Sequence, residues 1–251
     1  AMKVFALSLS ILVIFSFSMT SARASEVLEV SARLPQFPLI GDQAPGFEAE
    51  STDGKIDFPK DYIGKWVILF SHPADFTPVC TSEFVMFGSV AHEFKKLNTE
   101  LLGLSIGEIK KHHEWKRSIK DKIEFQGIKN QEIPFPIIAD TDQEIAWRYG
   151  MLHPTVSDTR TVRAVFVVDP KGVIRAMNYY PPEVGRNISE IKRLVIALQT
   201  SDAYQVATPA NWQPGEDVLV KPDDQRSQDK NCQEWYFCFQ QLDKSKLVLP
   251  Y

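Results

Sequence analysis

Cys80 stands at the end of a run whose residue types and order suit thiol chemistry: Trp66-Val67-Ile68-Leu69-Phe70-Ser71-His72-Pro73-Ala74-Asp75-Phe76-Thr77-Pro78-Val79-Cys80. The apolar, β-branched and aromatic stretch predicts a buried strand that ends at His72-Pro73. Thr77-Pro78 then predicts a helix start, with Thr77 as N-cap and Pro78 at the first helical position. This spacing puts the Cys80 thiol in the first helical turn, beside backbone N–H groups that have no intrahelical partner. The positive end of the helix dipole stabilises a thiolate there. Most free cysteines are small buried hydrophobes, but a core position needs neither His-Pro nor Thr-Pro beside it. The chemistry implied is nucleophilic.

The chain around this run has 251 residues, 44% of them hydrophobic, which is enough for one core of 150 or more residues plus an appendage. A formal net charge of −4 and no basic stripe argue against nucleic acid as a partner. The N-terminus reads differently: Lys3 is a short positive region, Val4 to Met19 is apolar, and Ala22-Arg23-Ala24 fits a small-x-small cleavage site before Ser25. Residues 1–24 are expected to be a signal peptide that exports the chain to a periplasm or the outside. A membrane anchor or an organellar transit sequence is the alternative; the apolar stretch is short for a span. Residues 25–36 read as a flexible leader. Three cysteines in an exported chain leave at least one thiol free, reactive or intermolecular.

Strand and helix patterns alternate from Phe37 to about Thr200, which predicts an α/β domain over residues 37–200. Strands are predicted at Trp66–Ser71, Leu101–Ile106, Phe135–Ala139, Ala164–Val168 and Val173–Tyr179, and helices at Val79–Leu97, Glu108–Ile119, Gln143–Tyr149 and Ser189–Gln199. Asp169-Pro170-Lys171-Gly172 marks a hairpin turn between two of the strands. Residues 201–251 turn toward Pro, Asp, Gln and aromatics and read as a C-terminal arm, with Trp212 to Tyr251 ordered by packing on another subunit. His112-His113 lies in a Lys/Glu-rich helix and reads as solvated surface. No spacing makes a metal site.

Pro73-x-x-x-Thr77-x-x-Cys80 matches the active-site signature of the peroxiredoxins, and His72-Pro-x-Asp-Phe-Thr-Pro-Val-Cys80-Thr resembles their one-cysteine branch. Thr161-Val162-Arg163 and the strand after it resemble the family's arginine-bearing strand, and Tyr179 to Asn187 its second arginine site. The tail, with Thr208-Pro209-Ala210-Asn211-Trp212 and Cys232-x5-Cys238, is similar to the arm of archaeal and bacterial members. The resemblance runs from about Pro38 to the end. It implies a thioredoxin-like sheet flanked by helices with a C-terminal dimerisation arm, no cofactor, and a homodimer or ring of dimers. It also implies a peroxidase that reduces hydrogen peroxide or alkyl hydroperoxides through a sulfenic acid at Cys80, recharged by an external thiol, with neither nucleic acid nor membrane as partner.

Ionisation alone does not make such an enzyme. Lowering a thiol pKa from about 8.5 to about 6 raises the thiolate fraction at neutral pH only about thirtyfold, and a less basic thiolate is a weaker nucleophile. The rest must come from donors aimed at the O–O bond, each worth about 10² to 10³ in rate. By resemblance, Thr77 hydrogen-bonds the peroxide, Arg163 holds the thiolate and polarises the substrate, Arg186 is a second cation near the pocket, Pro73 screens the sulfur from water, and Glu83 orients an arginine. Taken singly, Thr77 reads as a cap, Arg163 as an edge charge and Arg186 as a surface residue. His72 reads either as a neighbour of the sulfur or as a structural histidine. In relatives with the same arm the later cysteine attacks the sulfenic acid, so Cys238 is the candidate resolving thiol and Cys232 its partner afterwards. A local Cys232–Cys238 disulfide, with Cys80 reduced by an external thiol, is the alternative. No Gly-x-Ser-x-Gly precedes the first strand, so no phospholipase activity is expected, and no Cys-x-x-Cys supports a disulfide oxidoreductase. A holdase-type chaperone or redox-sensing scaffold on the same fold is the rival function.

Overall fold

The computed structural model of the protein describes residues 37–157, 159–220 and 232–242. The expected signal peptide and leader lie outside the described residues. In chain order the elements are β1 Phe47–Ser51, β2 Gly54–Phe58, β3 Trp66–Ser71, α1 Pro78–Lys96, β4 Thr99–Ser105, α2 Ile109–Lys122, β5 Glu124–Phe125, β6 Ile128–Lys129, β7 Ile137–Ala139, α3 Glu144–Arg148, β8 Arg163–Val168, β9 Ile174–Tyr180, α4 Ile188–Tyr204, β10 Val218–Val220, β11 Cys232–Glu234 and β12 Phe237–Gln240.

Seven strands form one sheet in the order β2-β1-β7-β4-β3-β8-β9. Its centre is parallel from β7 through β4 to β3, and β8 joins β3 antiparallel with Leu69 opposite Phe166. Central strands covered on both sides must be apolar at every position, and all six residues of β3 are buried. Alternation divides them between two cores. Trp66, Ile68 and Phe70 face a cluster that takes in Phe84, Phe87 and Phe94 of α1, Trp115 of α2 and Val195 of α4. Val67 and Leu69 face one built from Phe47, Phe58, Leu102, Leu104, Tyr149 and Phe166. The α/β expectation therefore holds.

The β8–β9 turn forms as expected: Gly172 takes φ +80° and donates its N–H to Asp169 O at 2.9 Å. The Asp169 carboxylate accepts from the N–H groups of Lys171 and Val173. Other boundaries move for local reasons. The strand expected from Phe135 begins only at Ile137, since Pro134 and Pro136 have no N–H to pair. Helix α4 continues past Gln199 to Tyr204, where Gln205 ends it in the left-handed conformation. The β1–β2 hairpin has no counterpart in the predicted elements; its strands are five residues each and only partly buried.

The tail corrects a second expectation. Trp212 does not wait for another subunit: it is 1% exposed and packs with Leu97, Ile196, Ala197, Val206 and Val218 of its own chain. Its indole N–H donates to Glu216 O at 3.1 Å. Beyond it β10, β12 and β11 form a small three-stranded sheet.

Candidate active site

Helix α1 starts where Thr77-Pro78 predicts. Thr77 is extended (φ −111°, ψ 149°), Pro78 is the first helical residue and Cys80 the third. Thr77 is the N-cap by position only: its hydroxyl makes no cap bond and donates instead to Ala74 O at 2.9 Å. That bond folds the loop back over the helix start. Pro73 is buried at the loop's beginning. Phe76 occupies the left-handed region at φ 56°, uncommon for a bulky side chain and a source of local strain.

The Cys80 side chain is fully buried, and Arg163 Nη1 lies 3.2 Å from its sulfur. Arg163 opens β8, so the apolar strand that buries it carries the guanidinium to the end of the sheet. The same Nη1 donates to Glu83 Oε2 at 2.8 Å, while Nε and Nη2 donate to Pro182 O at 3.0 and 2.6 Å. Glu83, one turn after Cys80, is 3% exposed and also holds Arg186. Arg186 donates from its backbone N and Nε to Oε1 (2.8 and 2.9 Å) and from Nη2 to Oε2 (2.7 Å). Its Nη1 reaches Ser71 O and Ala164 O, both at 3.0 Å, on two neighbouring strands. Burial alone would push the Glu83 carboxyl up, yet Arg186 and then Arg163 outweigh it and hold the carboxyl below its ordinary range. The guanidinium of Arg186 also stacks over Phe70, 5.1 Å from the ring centre.

Arg163 therefore touches the sulfur, and Arg186 acts one carboxylate away, as a clamp on Glu83. Both arginines are buried, not edge or surface charges. His72 is fully buried, and its Nε2 bonds Asp75 Oδ1 at 2.9 Å, not the sulfur. Burial lowers the His72 pKa, against the opposing pull of Asp75.

The reading of His112 as solvated surface is wrong. His112 is 0% exposed, and its Nδ1 lies 2.6 Å from Asp75 Oδ2; only His113 faces solvent. Burial works to raise the Asp75 pKa, but the hydrogen bonds of His112 and His72 prevail and hold it at about 2. The charged neighbours of His112 hide the helical period: residues 112, 115 and 119 are the buried ones of α2, spaced as one face. That spacing is the signal that finds His112. Asp75 has no such signal: His72 lies three residues before it, but its partner in α2 is 37 residues away.

A cleft of about 390 Å³ beside the loop is lined by Phe76, Thr77, Pro78, Trp115 and Phe125 among others. In the tail Cys232 and Cys238 are joined as a disulfide (S–S 2.06 Å), and Cys80 is a free thiol. Among the described residues no group of His, Cys, Asp and Glu suits a metal ion.

Residues 40–177 match the AhpC/TSA family, and residues 197–233 match the C-terminal domain of 1-Cys peroxiredoxin. A peroxiredoxin of Methanosarcina mazei is 53% identical over 211 residues, covering 80% of this chain and 96% of that protein. The chain belongs to the peroxiredoxins. A peroxiredoxin of Thermotoga petrophila is 51% identical over 82% of this chain and 99% of its own length. Among solved structures, a yeast mitochondrial 1-Cys peroxiredoxin, studied for thiol resolution via glutathione/thioredoxin systems, superposes with a TM-score of 0.73 at 39% identity, covering 81% of this chain and 99% of that one. Peroxiredoxin 6 of Arenicola marina superposes with a TM-score of 0.67 at 38% identity over 74% and 84% of the two chains. This peroxiredoxin has the thioredoxin-like fold of its relatives and is a thiol-dependent peroxidase, an antioxidant oxidoreductase. The chaperone alternative is not favoured.

Proposed function

We propose that Cys80 is the peroxidatic thiol and that Arg163, Glu83 and Thr77 build its reaction site. The single observation that carries this reading is the 3.2 Å contact of Arg163 Nη1 with the fully buried Cys80 sulfur. A guanidinium keeps its charge at any working pH, so it sets a fixed positive charge and a donor against the sulfur. The thiolate attacks the terminal oxygen of hydrogen peroxide or an alkyl hydroperoxide. A sulfur–oxygen bond forms, the O–O bond breaks, and its electron pair leaves on the distal oxygen, which takes a proton to become water or alcohol. Four hydrogen bonds use four of the five Arg163 N–H groups, and the second hydrogen of Nη2 is left for the leaving oxygen. Since the Thr77 hydroxyl donates to Ala74 O, its lone pairs accept the peroxide O–H. Glu83 and Arg186 fix the Arg163 plane, Pro73 covers the site, and the apolar cleft at Phe76 and Phe125 suits the organic part of larger hydroperoxides.

For the return half, Cys238 of a second copy of the chain attacks the sulfenic acid with loss of water. Cys232 then displaces Cys80 and closes the Cys232–Cys238 disulfide, the bond seen in the tail. An external thiol, of the thioredoxin or small-thiol class named for the yeast relative, reduces it. A homodimer or ring of dimers supplies the second copy, and the N-terminal pattern supports export. Stopped-flow consumption of hydrogen peroxide tests the core of the reading: Cys80→Ser should lose at least about a thousandfold. A variant that still consumes peroxide at the wild-type rate removes Cys80 from the role.

A further inference from the structure

The active-site loop is tied to the rest of the molecule by a contact that the peroxidase reading does not use. Among the described residues, the side-chain hydrogen bond of Thr77 stays inside the loop, ending on Ala74 O. The carboxylate of Asp75 leaves it by one oxygen: Oδ1 stays within the loop on His72 Nε2 (2.9 Å), and Oδ2 reaches His112 Nδ1 (2.6 Å) of α2. An ionised carboxylate only accepts, so both histidines donate and both tautomers are set. Among the described residues neither imidazole has another hydrogen-bond partner: His72 Nδ1 and His112 Nε2 are buried and unpaired. Burying polar atoms unpaired is a cost that an apolar anchor would avoid, so the arrangement is explained by what Asp75 holds.

Two further observations agree. A Cβ at Gly107 would sit 2.9 Å from Cε1 of His112 and 3.3 Å from Ser105 Oγ, so the turn before α2 leaves room for the imidazole only because residue 107 has no side chain. The residue after Asp75 is Phe76, whose left-handed backbone persists only where its surroundings over-determine it. Released from the anchor, Phe76 relaxes and takes Thr77 with it.

We propose that His112 is a positioning residue of the peroxidase site: acting through Asp75, it latches the loop from His72 to Thr77 in the arrangement that buries Cys80. The proposal rests on Cys80 being the peroxidatic thiol, and the test separates the two. Full-length variants are compared by stopped-flow reaction with hydrogen peroxide and by iodoacetamide alkylation of Cys80, followed by peptide mass spectrometry. His112→Ala should slow the peroxide reaction about tenfold or more, because the loop groups leave their reactive geometry, and should speed alkylation because the sulfur is uncovered. His112→Asn, whose Nδ2–H stands where the imidazole Nδ1–H stood, should restore both. His113→Ala, on the same helix but exposed, should match wild type in both.

If His112→Ala does not fold, Asp75→Asn and Gly107→Ala carry the same test, with slow peroxide reaction and fast alkylation expected. The latch is overturned if these variants keep wild-type rates, if peroxide reaction falls while alkylation is unchanged, or if His112→Asn fails as badly as His112→Ala. Peroxide consumption persisting in Cys80→Ser is a separate result and sinks the underlying reading.

Discussion

At the start of α1 a free sulfur is fully buried, held by one guanidinium that is itself held by a carboxylate and a carbonyl. At the other end of the chain two sulfurs share a disulfide in a hairpin whose tip, Trp235 and Tyr236, is 75% and 57% exposed. On the proposed reading, a thiol whose first reaction is with a peroxide gains from a dry pocket, where preorganised charges act at low dielectric. A thiol that must exchange with other proteins has to lie where another thiol can reach it in line. Burial alone does not separate the two regions, since Cys238 is itself 3% exposed while Cys232 is exposed; what differs is a free thiol against a guanidinium in one and a disulfide beside an exposed tip in the other.

The comparison can be broken most sharply at the tail. Cys238→Ser should abolish the peroxide-induced disulfide-linked dimer on a non-reducing gel; an unchanged dimer band would assign resolution to another thiol. The buried clamp comes next. Glu83→Gln removes the charge between two buried guanidiniums and should cost about 3–5 kcal/mol in urea unfolding, whereas a loss below 1 kcal/mol would mean that water or another acceptor already screens them. Arg163→Met should keep much of the packing but lower the second-order rate with peroxide by about 10² to 10³, since on the proposed mechanism it removes the donor to the leaving oxygen. The smallest effect is expected at the hairpin tip: Trp235→Ala should shift stability by no more than about 0.5 kcal/mol, as for most exposed positions. A larger loss would show that the tip is covered in the assembled protein.

Much of the site was legible in the chain, and the illegible part has a common cause. Strand Trp66–Ser71, the helix start at Pro78 and the hairpin at Asp169–Gly172 depend on neighbours within a few residues, and local order was enough to find them. The resemblance named Arg163, Arg186 and Glu83 with Arg163 on the sulfur, but only the structure shows that Glu83 holds both arginines and that Arg186 reaches the sulfur's cation through it. The Thr77 hydroxyl went the other way, with its capping position correct and its bond directed elsewhere, because Ala74 O competes for it. His112 reads as surface because its neighbours Lys110, Lys111, His113 and Glu114 are polar or charged, which says nothing about the one residue that turns inward.

The amino-acid order by itself determined where a reactive thiol would sit and which strand delivers it, since both follow from periodicity, capping chemistry and a short motif; the arginines came only with the family resemblance. Tertiary structure alone decided that Glu83 bridges both guanidiniums and that Asp75 reaches His112 of α2. Those pairings join residues 37 to 103 positions apart. Contacts at that separation are set by how the sheet and helices close around the core, and nothing in the local sequence encodes them.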